Sequence, residues 1–587
     1  MTAVFCHISL FVLIGCGISA SPAVAVDPLP ASLAYVLQAE KLAATKSAAV
    51  ALLADCERDW IVLDASFDTG RESRWTPADL NRIRKGRPGR KILAYLSIGE
   101  AESYRGYWKP SWNDRPPPFL LAENGDWPGN YQVKFWLDSW QTIILREVDR
   151  LMEQGFDGLY LDKVDVYEDF EYDAESKDWI DNRMNSETGR TYRAEMIDWV
   201  AKIAARARRS NGKALIVPQN AAPLLQAPDY RRLISGIGIE DLFTDGERRQ
   251  ADDAIRYRER PLRQLVAAGK PVLCIDYAES PRLRRAVAAQ AAQRNYCLLV
   301  TDRALSGIGY SLEHFGYLGP GYGNATKRFT DPKEMTPEDW ADPREIARTW
   351  NAALVRIPRA NGGEVIRSTM RVLALPKNGS NRRWPTVIYL HGCSGVWAGT
   401  YRRIDVLAAN GFAVIAPVSL ARKKYPQSCD TARHRGGLYR PTLRMRQLDA
   451  GNAIVRARQL DWVDSDNLFL MGLSQGAITA ATFHSEDPAA KLNARVLEGW
   501  TCHAGWEEYR GIRAPRSEPV LALVAKFDPW FQKKWNRGDC GPFLDSTNGS
   551  RSIVFDQGKL SKRHELFEDP RVQRLVIQFL KEHVTVR

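Results

Sequence analysis

The sequence is poor in metal ligands. Its 587 residues hold only eight histidines, and no HxH, HExxH or CxxC spacing occurs. Zinc centres built on those patterns are thereby excluded, and we expect neither metal nor cofactor. Beyond the first 25 residues no hydrophobic run is long enough to cross a bilayer, so no later transmembrane segment is expected. Internal repeats and low-complexity tracts are missing too. With 44% hydrophobic and 26% charged residues, disorder is not the default. The formal charge of +12 comes without a basic stripe or a nucleic-acid motif, because Lys and Arg are spread in short clusters such as 206–209 and 422–424. A solvated basic surface is the reading, and nucleic acid is not an expected partner.

What is present starts with an export signal. Residues 4–18 form a short apolar stretch and Ala23-Val24-Ala25 offers a small-residue cleavage site, so residues 1–25 read as a signal peptide. No Lys or Arg precedes the apolar stretch. Leu13-Ile14-Gly15-Cys16 also resembles a lipoprotein cleavage box, which leaves two outcomes open: a secreted or periplasmic protein, or one lipid-anchored at Cys16. Seven cysteines follow Ala25, and four lie in the last third (Cys393, Cys429, Cys502, Cys540). An oxidising compartment permits two disulfides there, in a pairing the sequence leaves open. Cys274 and Cys297 fall in apolar strand-like runs and read as buried thiols.

The length fits two domains. From residue 30 to 318, short apolar runs alternate with amphipathic helical stretches. The runs are 34–38, 60–66, 91–99, 158–162, 214–220, 236–243, 271–278 and 296–301. Eight strands, mostly apolar throughout, suit parallel strands buried on both faces, and eight strand–helix units suit a TIM-type (β/α)₈ barrel. The segment from Glu100 to Trp140 is long and holds Trp108, Trp112, Trp127, Trp136 and Trp140; loops of that length are usually functional. The chain has 18 Trp and 21 Tyr, and most aromatics in any protein simply fill cores. Residues 319–363, rich in Gly, Pro and charge, read as a linker. Residues 364–587 then repeat an α/β order expected of a doubly wound sheet.

The C-terminal part carries the clearest local signature. Gly472-Leu473-Ser474-Gln475-Gly476 follows an apolar strand and opens a helix, the setting that presents a serine on a sharp turn. A hydroxyl needs a positioned base to attack, and the expected chain order is Ser, acid, His. Asp528 follows the strand at 519–526 and His564 follows the last strand. His391-Gly392-Cys393 lies where an oxyanion loop belongs, so the amides of Cys393 and Gln475 are the expected donors. Cys502, His503 and Asp545 are nearby alternatives without a comparable setting. Together these features resemble the α/β-hydrolase superfamily, in its dienelactone-hydrolase-like branch, across residues 364–587. That branch's namesake uses cysteine; Ser474 points instead to esterase-type chemistry.

In the N-terminal part, carboxylates end several proposed strands: Asp64, Glu100, Asp162 with Asp165, Glu240 with Asp241, and Asp276. Barrel enzymes build their sites on that rim, and glycoside hydrolysis needs two such groups about the scissile bond. Some of the carboxylates will be caps or salt bridges. The segments Leu93–Glu102, 133–136 and 155–165 resemble the endo-α-1,4-polygalactosaminidase family over about residues 30–310. That resemblance implies a barrel glycosidase acting on galactosamine-containing polysaccharide, with Asp162 and Glu240 as the catalytic pair. Lys163 departs from the small polar residue frequent there; an ammonium facing the site favours ionised Asp162, making it the nucleophile and Glu240 the acid, although the reverse assignment stays open. Asp64, Tyr95, Glu100, Asn220, Asp276 and Tyr310 are the expected substrate contacts. The expectation is a secreted bifunctional hydrolase, its barrel cutting an amino-sugar polysaccharide and its serine site cutting an acyl ester. The alternative is a serine esterase whose barrel only binds glycan.

Overall fold

The computed structural model describes residues 29–68, 73–324, 326–359, 364–375 and 382–585. The signal segment 1–25, with Cys16, lies outside them. Among the described residues no helix is long and apolar enough to cross a membrane.

The first half alternates eight parallel strands with helices. The strands are β1 (Leu33–Val36), β2 (Trp60–Leu63), β3 (Lys91–Ser97), β4 (Gly158–Asp162), β5 (Leu215–Pro218), β6 (Ile237–Glu240), β7 (Val272–Asp276) and β8 (Cys297–Val300). Each overlaps the apolar run that predicted it. Strands β1 to β5 pair in chain order in one sheet and β6 to β8 in another. A parallel bridge from Gln219 to Gly238 joins β5 to β6. Across the other seam the Leu37 amide donates to the Leu305 carbonyl at 2.9 Å.

Two periodic faces explain the packing. Alternate side chains such as Tyr35, Val62, Tyr95, Tyr160, Val217 and Ile275 gather into one inner cluster, while the opposite faces pack on the surrounding helices. Strand β6 contributes no side chain to the inner cluster. A Cβ on Gly238 would stand 1.8 Å from the Tyr160 hydroxyl, so only glycine fits. The long segment after β3 folds into a small antiparallel sheet of Glu100–Glu102, Leu120–Glu123 and Asn130–Val133. Trp112, Trp136 and Trp140 are buried there as core, whereas Trp127 is exposed.

The second half is built on one sheet of eight strands: β9 (Leu354–Ile357), β10 (Ile366–Thr369), β11 (Trp384–Leu390), β12 (Ala413–Ala416), β13 (Val463–Leu473), β14 (Ala494–Glu498), β15 (Val520–Ala525) and β16 (Arg551–Phe555). Their spatial order is β10-β9-β12-β11-β13-β14-β15-β16, with β9 antiparallel to both neighbours and the rest parallel. Helices cover both faces. Ala398–Ala409 and Pro570–Glu582 pack on one, Thr442–Ala457 and Gln475–Thr482 on the other.

One boundary needs correction. The described residues of the expected linker, 319–324 and 326–359, supply β9, inside the second sheet, and the helix Pro343–Asn351 packed beside it. The charge of Arg356 disguises the strand in the sequence. Its guanidinium is fully buried, donating to Asp405 Oδ1 at 2.6 Å and to the Gly316 carbonyl at 2.9 Å. Two disulfides, Cys393–Cys429 and Cys502–Cys540, close loops of 36 and 38 residues. Loops of that size are each worth about 4 kcal/mol in the chain-entropy account. Cys274 and Cys297 are buried free thiols and Cys56 is a partly buried one.

Candidate active sites

At the carboxyl ends of the first eight strands lies a cleft of about 590 Å³. Asp162 ends β4 and Glu240 ends β6, and both line it. The Tyr95 hydroxyl donates to Asp162 Oδ2 at 2.7 Å, and the Lys163 amide donates to Oδ1 at 2.7 Å. Glu240 receives the Tyr277 hydroxyl on Oε1 and the Gln219 amide on Oε2. Tyr35 completes that chain by donating to Gln219 Oε1 at 3.1 Å.

Burial raises both carboxyls. For Asp162 the loss of water outweighs the Tyr95 and Lys163 hydrogen bonds, so its pKa stands above the usual aspartate value. Burial, then the negative charge of Asp162, pushes Glu240 up to about 7. Asp165 is also pushed up to about 7, by burial and then by Asp162. A carboxyl that keeps its proton near neutrality can donate it; a neighbour that ionises earlier can attack. The left-handed backbone of Lys163, Asn220, Ala221 and Asp241, at φ between 50° and 57°, follows directly on β4, β5 and β6. Non-glycine residues there cost of order 1 kcal/mol each and cluster where side chains must be aimed.

The other expected contacts divide. Asp64, Tyr95, Glu100 and Asn220 line the cleft. Asp64 pairs with Arg105 at 2.7 Å, Glu100 with Lys163 at 2.8 Å, and Asn220 Oδ1 accepts the Glu240 amide at 3.2 Å. Lys163 therefore turns its ammonium to Glu100 rather than wholly to Asp162. Asp276 does not reach the cleft. It is fully buried and accepts from the Thr244 hydroxyl at 2.6 Å and the Ala278 amide at 3.1 Å, holding the turn after β7. Tyr310 also lies elsewhere: it bridges back to Val300 and packs on His314 and Phe315. Gln219, Tyr277, Glu102 and Arg105 were not singled out from the sequence. Gln219 and Tyr277 each adjoin a strand-end residue that was, and that position was the available signal.

In the second half Ser474 stands between β13 and the helix Gln475–Thr482, with φ 55° and ψ −117°. That conformation is a turn too sharp for ordinary residues at its flanks. A Cβ on Gly472 would lie 2.2 Å from Gly476, and one on Gly476 2.1 Å from the Leu390 carbonyl oxygen. The Ser474 amide donates to the Glu498 carbonyl at 2.7 Å, and the next residue, Gly499, packs against the His564 ring. Gly499 thus lies between the serine turn and the imidazole, and no hydrogen bond joins Ser474 Oγ to His564 Nε2. His564 Nδ1 bonds Asp528 Oδ2 at 2.7 Å, and Asp528 is fully buried. His564 Nε2 is buried without a hydrogen-bond partner among the described residues.

The amides of Cys393 and Gln475 donate to no acceptor among the described residues. Arg446, completely buried, fixes both neighbourhoods by donating to the His391 carbonyl and, at 3.0 Å, to Gln475 Oε1. His391 itself is structural: burial, then Arg446, lowers its pKa to about 3, and its Nε2 accepts the Ser419 amide. Cys502 is engaged in a disulfide, and Asp545 caps a short exposed turn.

Residues 68–315 match glycoside-hydrolase family GH114. An uncharacterized protein of Deinococcus radiodurans is 39% identical over 247 residues, 42% of this chain and 73% of that one. The chain belongs to family GH114. A second relative, an uncharacterized protein of Methanocaldococcus jannaschii, is 36% identical over 223 residues, 37% of this chain and 60% of that one. Among solved structures, the glycoside hydrolase domain of PelA from Pseudomonas aeruginosa aligns at 22% identity with a TM-score of 0.36, over 48% of this chain and 98% of that domain. The GH114 match ends at residue 315, before β9. It contains Asp162, Glu240 and their hydrogen-bond partners Tyr95, Gln219 and Tyr277.

Proposed function

We propose that the chain is an exported two-part hydrolase. Its strands β1 to β8 make a closed TIM-type barrel that cleaves an amino-sugar polysaccharide, and its second half is an α/β-hydrolase of the dienelactone-hydrolase-like branch that cleaves an acyl ester. The barrel ends near residue 318 and the second domain takes up the rest.

In the barrel, Glu240 protonates the glycosidic oxygen while Asp162 attacks the anomeric carbon. Glu240, having lost its proton, then takes one from the water that releases the sugar. The observation carrying this reading is the pair itself: two carboxyls on one cleft, with Glu240 held protonated to about pH 7 by burial and by Asp162. The cleft lining counts nine Asp and Glu side chains, seven of them besides the proton-retaining Glu240 and Asp165, against five Lys and Arg side chains. That balance suits a cationic galactosamine-containing chain despite the basic protein as a whole, since local potential governs docking. The test is reducing-end release from a partly de-N-acetylated galactosaminoglycan, with products sized by mass spectrometry. Absence of shortened chains would reject the assignment.

In the second half, His564 Nε2 takes the Ser474 proton as Oγ attacks the ester carbonyl, Asp528 steadies the imidazolium, and the amides of Cys393 and Gln475 receive the oxyanion. The alcohol leaves with the histidine's proton, and water repeats the sequence on the acyl-enzyme. The strained Ser474 turn beside the Asp528–His564 pair supports this reading most directly. A fluorophosphonate probe tests it: labelling of Ser474 is expected, and none in the folded protein would reject it.

A further inference from the structure

We propose that the serine site selects esters on anionic, carboxylate-bearing glycans, gripped by two disulfide-anchored arms. The proposal rests on the serine-hydrolase reading above and adds the class of its substrate.

The first arm, residues 429–437, starts at Cys429, tied to Cys393, and folds back through the pairing of Cys429–Asp430 with Arg435–Gly436. The second, residues 528–540, starts at Asp528 and ends at Cys540, tied to Cys502. They meet where His434 stands against Trp530, with ring centroids 5.4 Å apart. Trp530 in turn stacks on His564 at 5.4 Å and 29°. A glycan approaching the His564 ring therefore meets Trp530, where the two arms touch.

Both arms are cationic. Arg435, Lys533, Lys534 and Arg537 are exposed and have no carboxylate partner among the described residues. Two nearby acids are matched by a cation or an imidazole, whereas Asp539 and the exposed Glu507 beside Trp506 keep their charge and are outnumbered by the free cations. Asp430 pairs with Arg433 at 2.9 Å, Asp528 with His564, and Asp539 accepts from the Gly541 amide and the Ser552 hydroxyl. Trp535, 55% exposed, stands among these cations as a flat apolar face. Indole faces suit sugar rings, and free cations spaced along a chain suit repeated carboxylates. A polyamine would be repelled here and drawn to the acid-lined cleft of the other half. The two sites thus sort two polymers of opposite charge rather than sharing one.

The experiment compares kcat/KM of the full chain on O-acetylated polygalacturonate and on uncharged O-acetylated glucomannan, at low and high salt. The expected result is a preference for the acidic polymer of about tenfold or more at low salt, mostly in KM and erased by salt. Replacing Lys533→Glu and Lys534→Glu together should cut that ratio about tenfold. Equal turnover of the two polymers, or a ratio untouched by the double replacement, overturns the proposal. Failure of the fluorophosphonate to label Ser474 rejects the serine-hydrolase reading itself, whereas a labelled enzyme without charge preference rejects only this inference.

Discussion

The two candidate sites are built by opposite routes. In the second, one five-residue turn dictates the geometry: two glycines permit a close crossing, Ser474 is forced to φ 55°, and the acid and imidazole follow β15 and β16, beyond β14 in the sheet. In the first, no single motif does so. Asp162 and Glu240 are ordinary strand-end carboxylates, made unusual by burial and, for Glu240, by the charge of Asp162. Local backbone strain makes one site and collective electrostatics the other, so perturbing each should fail differently.

The sharpest separation is expected from Ser474→Ala. Loss of the nucleophile should lower ester turnover by about 10⁴-fold or more while glycan cleavage is unchanged, in parallel assays of one preparation. Next, Glu240→Gln should cost glycan turnover about 10²- to 10⁴-fold, the usual range for a general acid, and less on substrates whose leaving group needs no proton. Equal losses on both substrate types would assign Glu240 a binding role instead. Removing a disulfide by Cys502→Ala with Cys540→Ala should destabilise the second half by about 2–5 kcal/mol, seen as a lowered calorimetric transition for that half only.

The smallest effect is a pH shift. With Glu240 as the proposed acid, kcat/KM for glycan should fall as pH rises through about 7. The Tyr277 hydrogen bond lowers that pKa, because it favours the charged carboxylate. Tyr277→Phe should therefore move the alkaline limb upward; an unmoved or lowered limb would detach it from Glu240.

The strands of the first half and the central strands of the second were legible because they are buried on both faces and read as mostly apolar runs. The second site was legible because strand, turn and helix are contiguous. What escaped the sequence was pairing over distance. Arg356 hid β9 by placing a charge in an apolar run, and only the fold supplies Asp405 and the Gly316 carbonyl to receive it. Asp276 resembles Asp162 as a strand-end acid, yet the turn carrying Thr244 claims it. Gln219 and Tyr277 gain their roles only because β5 and β7 flank β6 in space. Sequence told where carboxylates sit on strands, not which of them face the same volume.

That shared volume is most directly tested with Asp162→Asn. On galactosaminoglycan the variant should release almost no new reducing ends while hydrolysing esters at the wild-type rate. If variant and wild type release sugar ends equally, the carboxyl pair is not the seat of glycan chemistry.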